Sequence, residues 1–482
     1  MIPSRLEDRT DGHRYQTEGV ESVQDLEYAG ILHEQGLGKT KIGLGVALHW
    51  LRSGAVTNVL VITKKNIIET WREEVAKHTW LEGYVIGTNP TQTSYALTGR
   101  GKVFIVNYDQ ARILEDTIDT WQRARRVGAI LDESQAIKNP ATKTSEALMR
   151  LREGFVRRLI MTGTISANRP YDLWNQIRFL DGGQALDMDY DEAKKRYDLP
   201  RNEKETENFA ERMEELHGRI AGFTIRETKE TAGVELPPKN FETWEAVLAD
   251  RQRVLYDEYE QAAQVLIERD GGRILDDNSQ ILKTLGRLVE CAAYPMGIDE
   301  GYEEKPGKDE VLDEVLQQRV KGRKAIIWTG FRGNAERLAE RLGPGRSVVV
   351  HGGIEDDERN RRIRVFKDER EAVQLLIATP GSCKEGLTLT VAQHVIFYDR
   401  SFRLEDYEQA QDRIHRLSQE YECFVHRIIA VDTIDEWVDK LLEAKKEAAS
   451  HAQGDRGRLS DGFDWMRQRE LLREILQWRS EK

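Results

Sequence analysis

The sequence predicts an α/β protein of two doubly wound lobes with helical insertions between them. Three observations carry this prediction. Apolar strand-like runs alternate with helical patterns up to about residue 164, the strand signal fades between Asp172 and about Val320, and strand-like runs return from Lys324 to Ala430. Alternating β and α is the pattern of a parallel sheet covered by helices. At 482 residues and 39% hydrophobic content, the chain also exceeds what one core supports, so two domains are expected.

In the first lobe the strand-like runs fall at residues 28–32, 58–63, 84–86, 103–108, 128–133 and 159–164. Residues 42–51 read as a helix following the first run. Residues 66–78 place Ile67, Ile68, Trp71 and Val75 on one helical face, as a helix lying on a sheet requires. The first domain is expected at 1–235, with a helical protrusion at about 181–222. Its end is marked by Val234-Glu235-Leu236-Pro237-Pro238-Lys239, where two prolines remove amide donors and enforce an extended connection. Residues 236–320 are expected to form a linker and helical insertion, with helices at 250–269 and 278–291. The second lobe, 321–445, has its runs at 324–329, 347–351, 374–379, 394–399 and 424–430. Residues 446–482 read as a helical tail with a break at 454–458 and a last helix at 471–478.

Net charge is −12, which argues against a nucleic-acid partner only if the charge is spread evenly. It is not: residues 299–314 carry eight acidic residues against two lysines, while basic groups gather at Arg123, Arg125 and Arg126, at Arg319 to Lys324, and at Arg359 to Arg364. No run approaches the roughly 18 apolar residues of a membrane span, and the N-terminus lacks a secretory pattern, so a cytoplasmic protein of a bacterial cell or phage-infected host is expected. Cys291, Cys383 and Cys423 have neither disulfide-framework nor zinc spacing.

Gly36-Leu37-Gly38-Lys39-Thr40 follows the first strand and opens the helix after it. Backbone N–H groups of such a loop can wrap phosphates, Lys39 can neutralise the β and γ groups, and Thr40 can ligate Mg²⁺. The first glycine of the usual pattern is replaced by His33. Asp132-Glu133 ends a buried strand, the edge where open α/β sheets bind ligands. Asp132 is expected to hold Mg²⁺ and Glu133 to orient the attacking water. In the second lobe, Gln409-Ala410-Gln411-Asp412-Arg413-Ile414-His415-Arg416 places Arg413 and Arg416 three apart, on one face of an expected helix, where they could stabilise charge on a transferring phosphoryl group. ATP hydrolysis is the activity this set predicts, with ATP and Mg²⁺ as cofactors.

With these residues in order, the chain resembles the superfamily-two helicases, and within them the Swi/Snf-type double-stranded DNA translocases. Arg14 to Val20 resembles the Q motif and Glu34 to Thr40 motif I; residues 58–71 resemble motif Ia, 106–108 motif Ib, Asp132-Glu133-Ser134-Gln135 motif II and Met161-Thr162-Gly163-Thr164 motif III. Residues 326–331, 386–390 and 409–419 are similar to motifs IV, V and VI. The resemblance implies two RecA-like lobes with ATP between them. It implies that Arg14 and Gln16 belong to an adenine-reading segment, that Gln35, Gly36, Leu37, Gly38, Lys39 and Thr40 hold phosphates and metal, and that Gln409, Arg413 and Arg416 complete the site. Implied contacts to the phosphate backbone of duplex or branched DNA are Lys64, Tyr108, Thr162, Thr329, Gly353, Thr379 and Lys384. The chain departs from the family where Gln135 replaces a common His, Cys383-Lys384 a glycine pair, Ser418 a glycine, and Phe402-Arg403-Leu404 the usual Trp-Asn-Pro. Its motif V and VI forms are similar to the branch containing annealing helicases. Two rivals stand beside a translocase: a strand-separating or branch-migrating helicase, and an ATP-dependent clamp that binds without travelling.

Overall fold

The computed structural model describes residues 6–87, 89–163, 169–198, 208–269, 279–343, 345–382, 388–416 and 418–452. Lys384, the break at 454–458 and the helix at 471–478 lie outside the described residues. The chain divides into two compact units, the first comprising described residues up to 198, 208–235 and 447–452, the second those of 236–446.

The first unit holds strands β1 (Tyr28–Ile31), β2 (Asn58–Thr63), β3 (Gly83–Val85), β4 (Val103–Asn107), β5 (Val127–Asp132), β6 (Phe155–Met161) and β7 (Thr224–Ile225). They form one seven-stranded sheet in the order β3-β4-β2-β5-β6-β1-β7, parallel at every pairing. Strands β2, β4 and β5 are buried along their whole length, which is why they read in sequence as unbroken apolar runs. Helices Lys39–Arg52 and Ile68–His78 cover the sheet, and Ile42, Val46, Trp50, Trp71 and Val75 pack against Val59 and Val61.

Two strand ends differ from the sequence reading for local reasons. Strand β4 stops at Asn107 because its Oδ1 accepts from Gln110 N at 2.8 Å, capping helix Tyr108–Ile113. Strand β6 starts at Phe155, earlier than expected, because Arg158 is buried within it. Its guanidinium donates to Leu180 O, Phe155 O and Glu27 Oε1. The short β7 follows helices Tyr190–Tyr197 and Phe209–Ile220, which fall within the range 181–222.

The second unit's sheet is β8 (Lys239–Ala246), β9 (Ala325–Trp328), β10 (Ser347–Val350), β11 (Leu375–Ala378), β12 (His394–Phe397) and β13 (Cys423–Ala430), in the order β10-β11-β9-β12-β13-β8. All its pairings are parallel. Counted from its own first strand, this is third-fourth-second-fifth-sixth-first, the same order as β1 to β6. The two units therefore repeat one architecture.

Residues 236–320 are accordingly more than a linker and helical insertion. Strand β8 is the second sheet's first strand, paired with β13 over eight residues from Lys239↔Cys423 to Ala246↔Ala430. It is an edge strand with one side open, so charged residues such as Glu242 and Glu245 hide it from an apolar-run criterion. Helices Ser279–Ala293 and Gly307–Val315 join the same core, where Ala293, Leu312 and Val315 pack with Ile327 and Ile396. Among the described residues, no helix is long and apolar enough to cross a membrane.

Lys308 is fully buried, its ammonium 2.5 Å from Asp435 Oδ2 and 3.0 Å from Tyr398 O. Removing one partner of such a pair strands the other charge. Asp435→Ala should therefore destabilise the second unit by about 3–5 kcal/mol, read by urea unfolding, whereas Lys308→Met combined with Asp435→Ala should recover most of that loss.

Candidate functional site

The loop after β1 carries Gly36 at φ 90° and Gly38 at φ 68°, left-handed values that favour glycine, and Gly38 caps the helix beginning at Lys39. Gly38 also lies against the Q-motif segment: a Cβ there would come within 2.4 Å of Gln16 Nε2. Gln16 is buried and donates to Leu37 O at 3.2 Å, and Tyr15 OH donates to the same carbonyl at 3.1 Å. Lys39 Nζ donates to His33 O and Glu34 O at 3.0 and 3.2 Å. Arg14 is exposed and paired with Glu18.

His33 roots the loop in the segment after β7. Its Nδ1 accepts from Glu227 N at 3.1 Å. Burial, with the nearby charges of Lys39 and Arg226, holds its pKa down at about 3, so the ring is neutral at physiological pH. Glu34 N donates to Glu227 O, and Glu34 Oε2 accepts from Lys229 N. This strap was not legible in the sequence, because the segment of Arg226 to Lys229 resembles any solvated charged turn.

Asp132 ends β5 and is buried. Its Oδ2 accepts from Trp71 Nε1 at 2.7 Å and Thr63 Oγ1 at 3.1 Å, and its Oδ1 accepts from Glu133 N at 3.1 Å. Burial and then the neighbouring Glu133 push its pKa up to about 6, against the opposing effects of Trp71, Lys39 and Thr63. Trp71, read from sequence as a core residue, also orients this carboxylate. Glu133 sits in the left-handed region at φ 52°, ψ 50°. Its Oε2 accepts from Gln135 Nε2 at 2.5 Å, and Gln135 Oε1 accepts from Thr162 Oγ1 at 2.9 Å. The next residue, Gly163, lies on the lysine loop: a Cβ there would come within 2.5 Å of Gln35 Cγ and 2.8 Å of Lys39 Nζ.

The first unit thus brings together Gln16, Gln35 to Lys39, Asp132, Glu133 and Gly163. The donor set fits a triphosphate with a hard divalent cation. Left-handed glycines open a helix N-terminus, a lysine stands within electrostatic reach of a carboxylate, and Thr40 occupies the helix's second position. Among the described residues, no group of three or more His, Cys, Asp or Glu could hold a metal by itself, so a cation here would draw on phosphate oxygens and water, as Mg²⁺ commonly does.

In the second unit, helix Leu404–Gln411 ends before Arg413, so Arg413 and Arg416 do not share a helical face as expected. Tertiary bonds replace the helical ladder. Leu389 N donates to Arg413 O at 2.9 Å, and Gln419 Nε2 donates to Thr390 O, Ala392 O and Ile414 O. Arg413 is buried; Arg416 is half-buried and donates to Thr388 Oγ1 at 2.9 Å and Asp412 O at 3.0 Å. Gln409 is buried and donates to Glu405 Oε1 at 3.2 Å.

The implied DNA contacts divide. Tyr108, Thr162 and Thr329 are buried, with their hydroxyls donating to Asp132 O, Gln135 Oε1 and Asp399 Oδ2, so these side chains are turned into the fold. Their position at strand ends, where apolar runs stop, made them look accessible. Lys64 and Thr379 are half-buried. Gly353 and Thr379 line one cavity of about 460 Å³ with Arg332, Asp399 and Arg400, at the carboxyl ends of the second sheet's strands.

Residues 15–296 match the SNF2-related domain, and residues 307–418 match the helicase conserved C-terminal domain. YwqA of Bacillus subtilis, described by inference as an ATP-dependent helicase/translocase, is 27% identical over 90% of this chain and 48% of its own length. Protein p41 of Acyrthosiphon pisum secondary endosymbiont phage 1 is 26% identical over 90% of this chain and 98% of its own. The DNA annealing helicase and endonuclease ZRANB3 of Bos taurus is 24% identical over 86% and 38%. The chain spans about half the length of the first of these relatives.

Asp399 mirrors Asp132: burial pushes its pKa up to about 6, opposed by Lys308, Thr329 and the Gly330 N–H. Because the folded value exceeds the unfolded one, the protonated carboxyl stabilises the fold below about pH 4, and that contribution is lost as pH rises through about 6. Relative to Asp399→Asn, the wild type should therefore gain roughly 2–3 kcal/mol between pH 7 and pH 4. Denaturant unfolding at each pH measures this, and a pH-independent difference would contradict it.

Proposed function

The chain belongs to the SNF2-related family, and from that premise we propose that it is a DNA-dependent ATPase that translocates on or remodels duplex or branched DNA. The observation carrying this reading is the joining of the lysine loop, the Asp132-Glu133 pair and Gly163 into one site of the first unit. The names of its relatives, among them a helicase/translocase and a DNA annealing helicase, support the same direction.

Each residue has a distinct task in this reading. Backbone N–H groups from Gly36 to Lys39 bind phosphate oxygens, and Lys39 exchanges its bonds to His33 O and Glu34 O for the β and γ phosphates. Thr40 and Asp132 would hold Mg²⁺, which would supply neutralisation of phosphate charge. Trp71 and Thr63 hold the Asp132 carboxylate in place for that task. Glu133 orients the attacking water. Gln16 bonds the loop itself through Leu37 O, so its adenine-reading role is joined to loop geometry. A share of turnover for Gln409, Arg413 and Arg416 rests on motif order. Among the expected DNA contacts, Gly353 and Thr379 share a cavity with Arg332 and Arg400.

ATPase rates measured side by side with single-stranded, duplex and branched DNA and with RNA test the proposal. Stimulation should be greatest with duplex or branched DNA and should fall with salt. Lys39→Ala and Glu133→Gln should each lower turnover by about 10²-fold or more, with ATP binding retained only in Glu133→Gln. Arg416→Ala should lose roughly 10³-fold in turnover. Wild-type turnover in Glu133→Gln would remove that residue from its assigned role. ATP hydrolysis without triplex displacement would favour the clamp.

A further inference from the structure

The edge at which the strands of the first sheet begin, opposite the lysine loop, carries cations without a carboxylate partner. Lys102 stands immediately before β4 and Arg126 immediately before β5, with Thr57, which precedes β2, between them. Thr57 N donates to Arg126 O at 2.7 Å, and Lys102 Nζ donates to Thr57 O at 3.3 Å. Two strand spacings, about 10 Å, separate the backbones of the two cations. Arg100 lies two residues ahead of Lys102. All three are exposed, and Arg100 and Arg126 make no ion pair or side-chain hydrogen bond among the described residues. Arg123 and Arg150 differ, being closed on Asp119 and Glu115. In a chain of net charge −12, arginines left open at one edge suit an anion brought from outside.

Two tyrosines border these cations. Tyr84 of β3 pairs in register with Phe104 of β4, their rings 6.0 Å apart. A Cβ on Gly101 would come within 2.8 Å of Tyr84 Cδ2, so this ring lies beside the backbone between Arg100 and Lys102. Its hydroxyl donates to Glu82 Oε2 at 2.8 Å. Tyr95, on helix Pro90–Thr98, is 82% exposed and within electrostatic reach of Tyr84. A ring so open adds little to packing. Beside unpaired arginines it makes the combination that holds unpaired nucleotides, in which phosphates take the cations and a base takes the ring face. In a duplex the base faces are stacked on one another, so an open ring of this kind serves single strands.

We propose that this edge of the first sheet binds single-stranded nucleic acid, with Tyr95 and Tyr84 as stacking surfaces and Arg100, Lys102 and Arg126 on the phosphates. The inference goes beyond the translocase reading and uses a different surface. The lysine loop and Asp132 lie at the opposite strand ends, about 20 Å away along the six residues of β2. Lys64 and Thr162, which the resemblance places on duplex DNA, directly follow β2 and β6 at those same opposite ends. A single strand held where the strands begin therefore leaves the other edge open to a duplex. Recognition through phosphates and ring faces carries no sequence preference.

Fluorescence anisotropy of the full chain with a labelled oligothymidylate of about 20 nucleotides, in the presence of saturating unlabelled blunt duplex, tests the proposal. The oligothymidylate should still bind. Tyr95→Ala should weaken it roughly tenfold, while Tyr95→Trp should keep it within about twofold of wild type. Arg100→Ala, Lys102→Ala and Arg126→Ala should each lower the slope of log affinity against log salt by about 0.7. Duplex affinity and DNA-free ATPase should stay within about twofold in all of these variants, since the surfaces are separate. Tyr421→Ala, which removes a 60% exposed tyrosine of the second unit, should leave oligothymidylate binding unchanged. Loss of the oligothymidylate on adding duplex, unchanged binding in Tyr95→Ala, or equal weakening of single strand and duplex would each overturn the proposal. Displacement by polyglutamate as readily as by unlabelled oligothymidylate would mark a surface for an acidic protein and overturn it too. A wild type that binds no duplex would overturn the translocase reading alone, because the oligothymidylate measurement without duplex still decides this one.

Discussion

The close seat of Gly163 on the lysine loop is the constraint on which the first unit depends. An added carbon there would come within 2.5 Å of Gln35 Cγ and 2.8 Å of Lys39 Nζ, so both side chains would have to shift. The end of β6 is thereby held to the loop after β1, and the neighbouring hydroxyl of Thr162 ties the same point to Gln135 and Glu133. On the opposite side of the loop, Tyr15 and Gln16 both donate to the Leu37 carbonyl, and Gly38 admits Gln16 where a side chain could not. A phosphate-wrapping loop must keep its N–H groups free for a ligand. Here its carbonyls carry anchoring bonds from Tyr15, Gln16 and Lys39.

The same solution for a buried carboxylate appears twice. In the first sheet, Thr63 at the end of β2 donates to Asp132 at the end of the adjacent β5; in the second, Thr329 just past β9 donates to Asp399 just past the adjacent β12. Both carboxyls are raised to about 6 by burial, and both are partly compensated by a lysine, Lys39 in one unit and Lys308 in the other. The cations differ in what surrounds them. Lys308 is fully buried and committed to Asp435, which makes it a structural charge. Lys39 is only partly buried and bonds two loop carbonyls. With the shared strand order, this places the same carboxylate device at matching strand ends of a repeated architecture.

Most of the fold and the first unit's site were legible because the features concerned are local. A strand buried on both faces must be apolar at every position, so β2, β4 and β5 announced themselves. Gly36 and Gly38 show where the backbone turns left-handed, and Asp132-Glu133 shows where an apolar run ends in carboxylates. Strand β8 was hidden because an edge strand needs only half its residues apolar. The bond from Trp71 to Asp132 was hidden because an indole on a helical face reads equally as core. The tertiary bonds of Gln419 and Leu389, which unwind the segment holding Arg413 and Arg416, leave no periodic trace. The inward turn of Tyr108, Thr162 and Thr329 depends on acceptors distant in sequence.

A crystal structure with a non-hydrolysable ATP analogue and Mg²⁺ tests the central claim most directly. The account predicts Lys39 Nζ on the phosphates and away from His33 O and Glu34 O, and Asp132 at the metal directly or through water. A nucleotide bound elsewhere, or one bound at the loop with Lys39 still on both carbonyls, would contradict it.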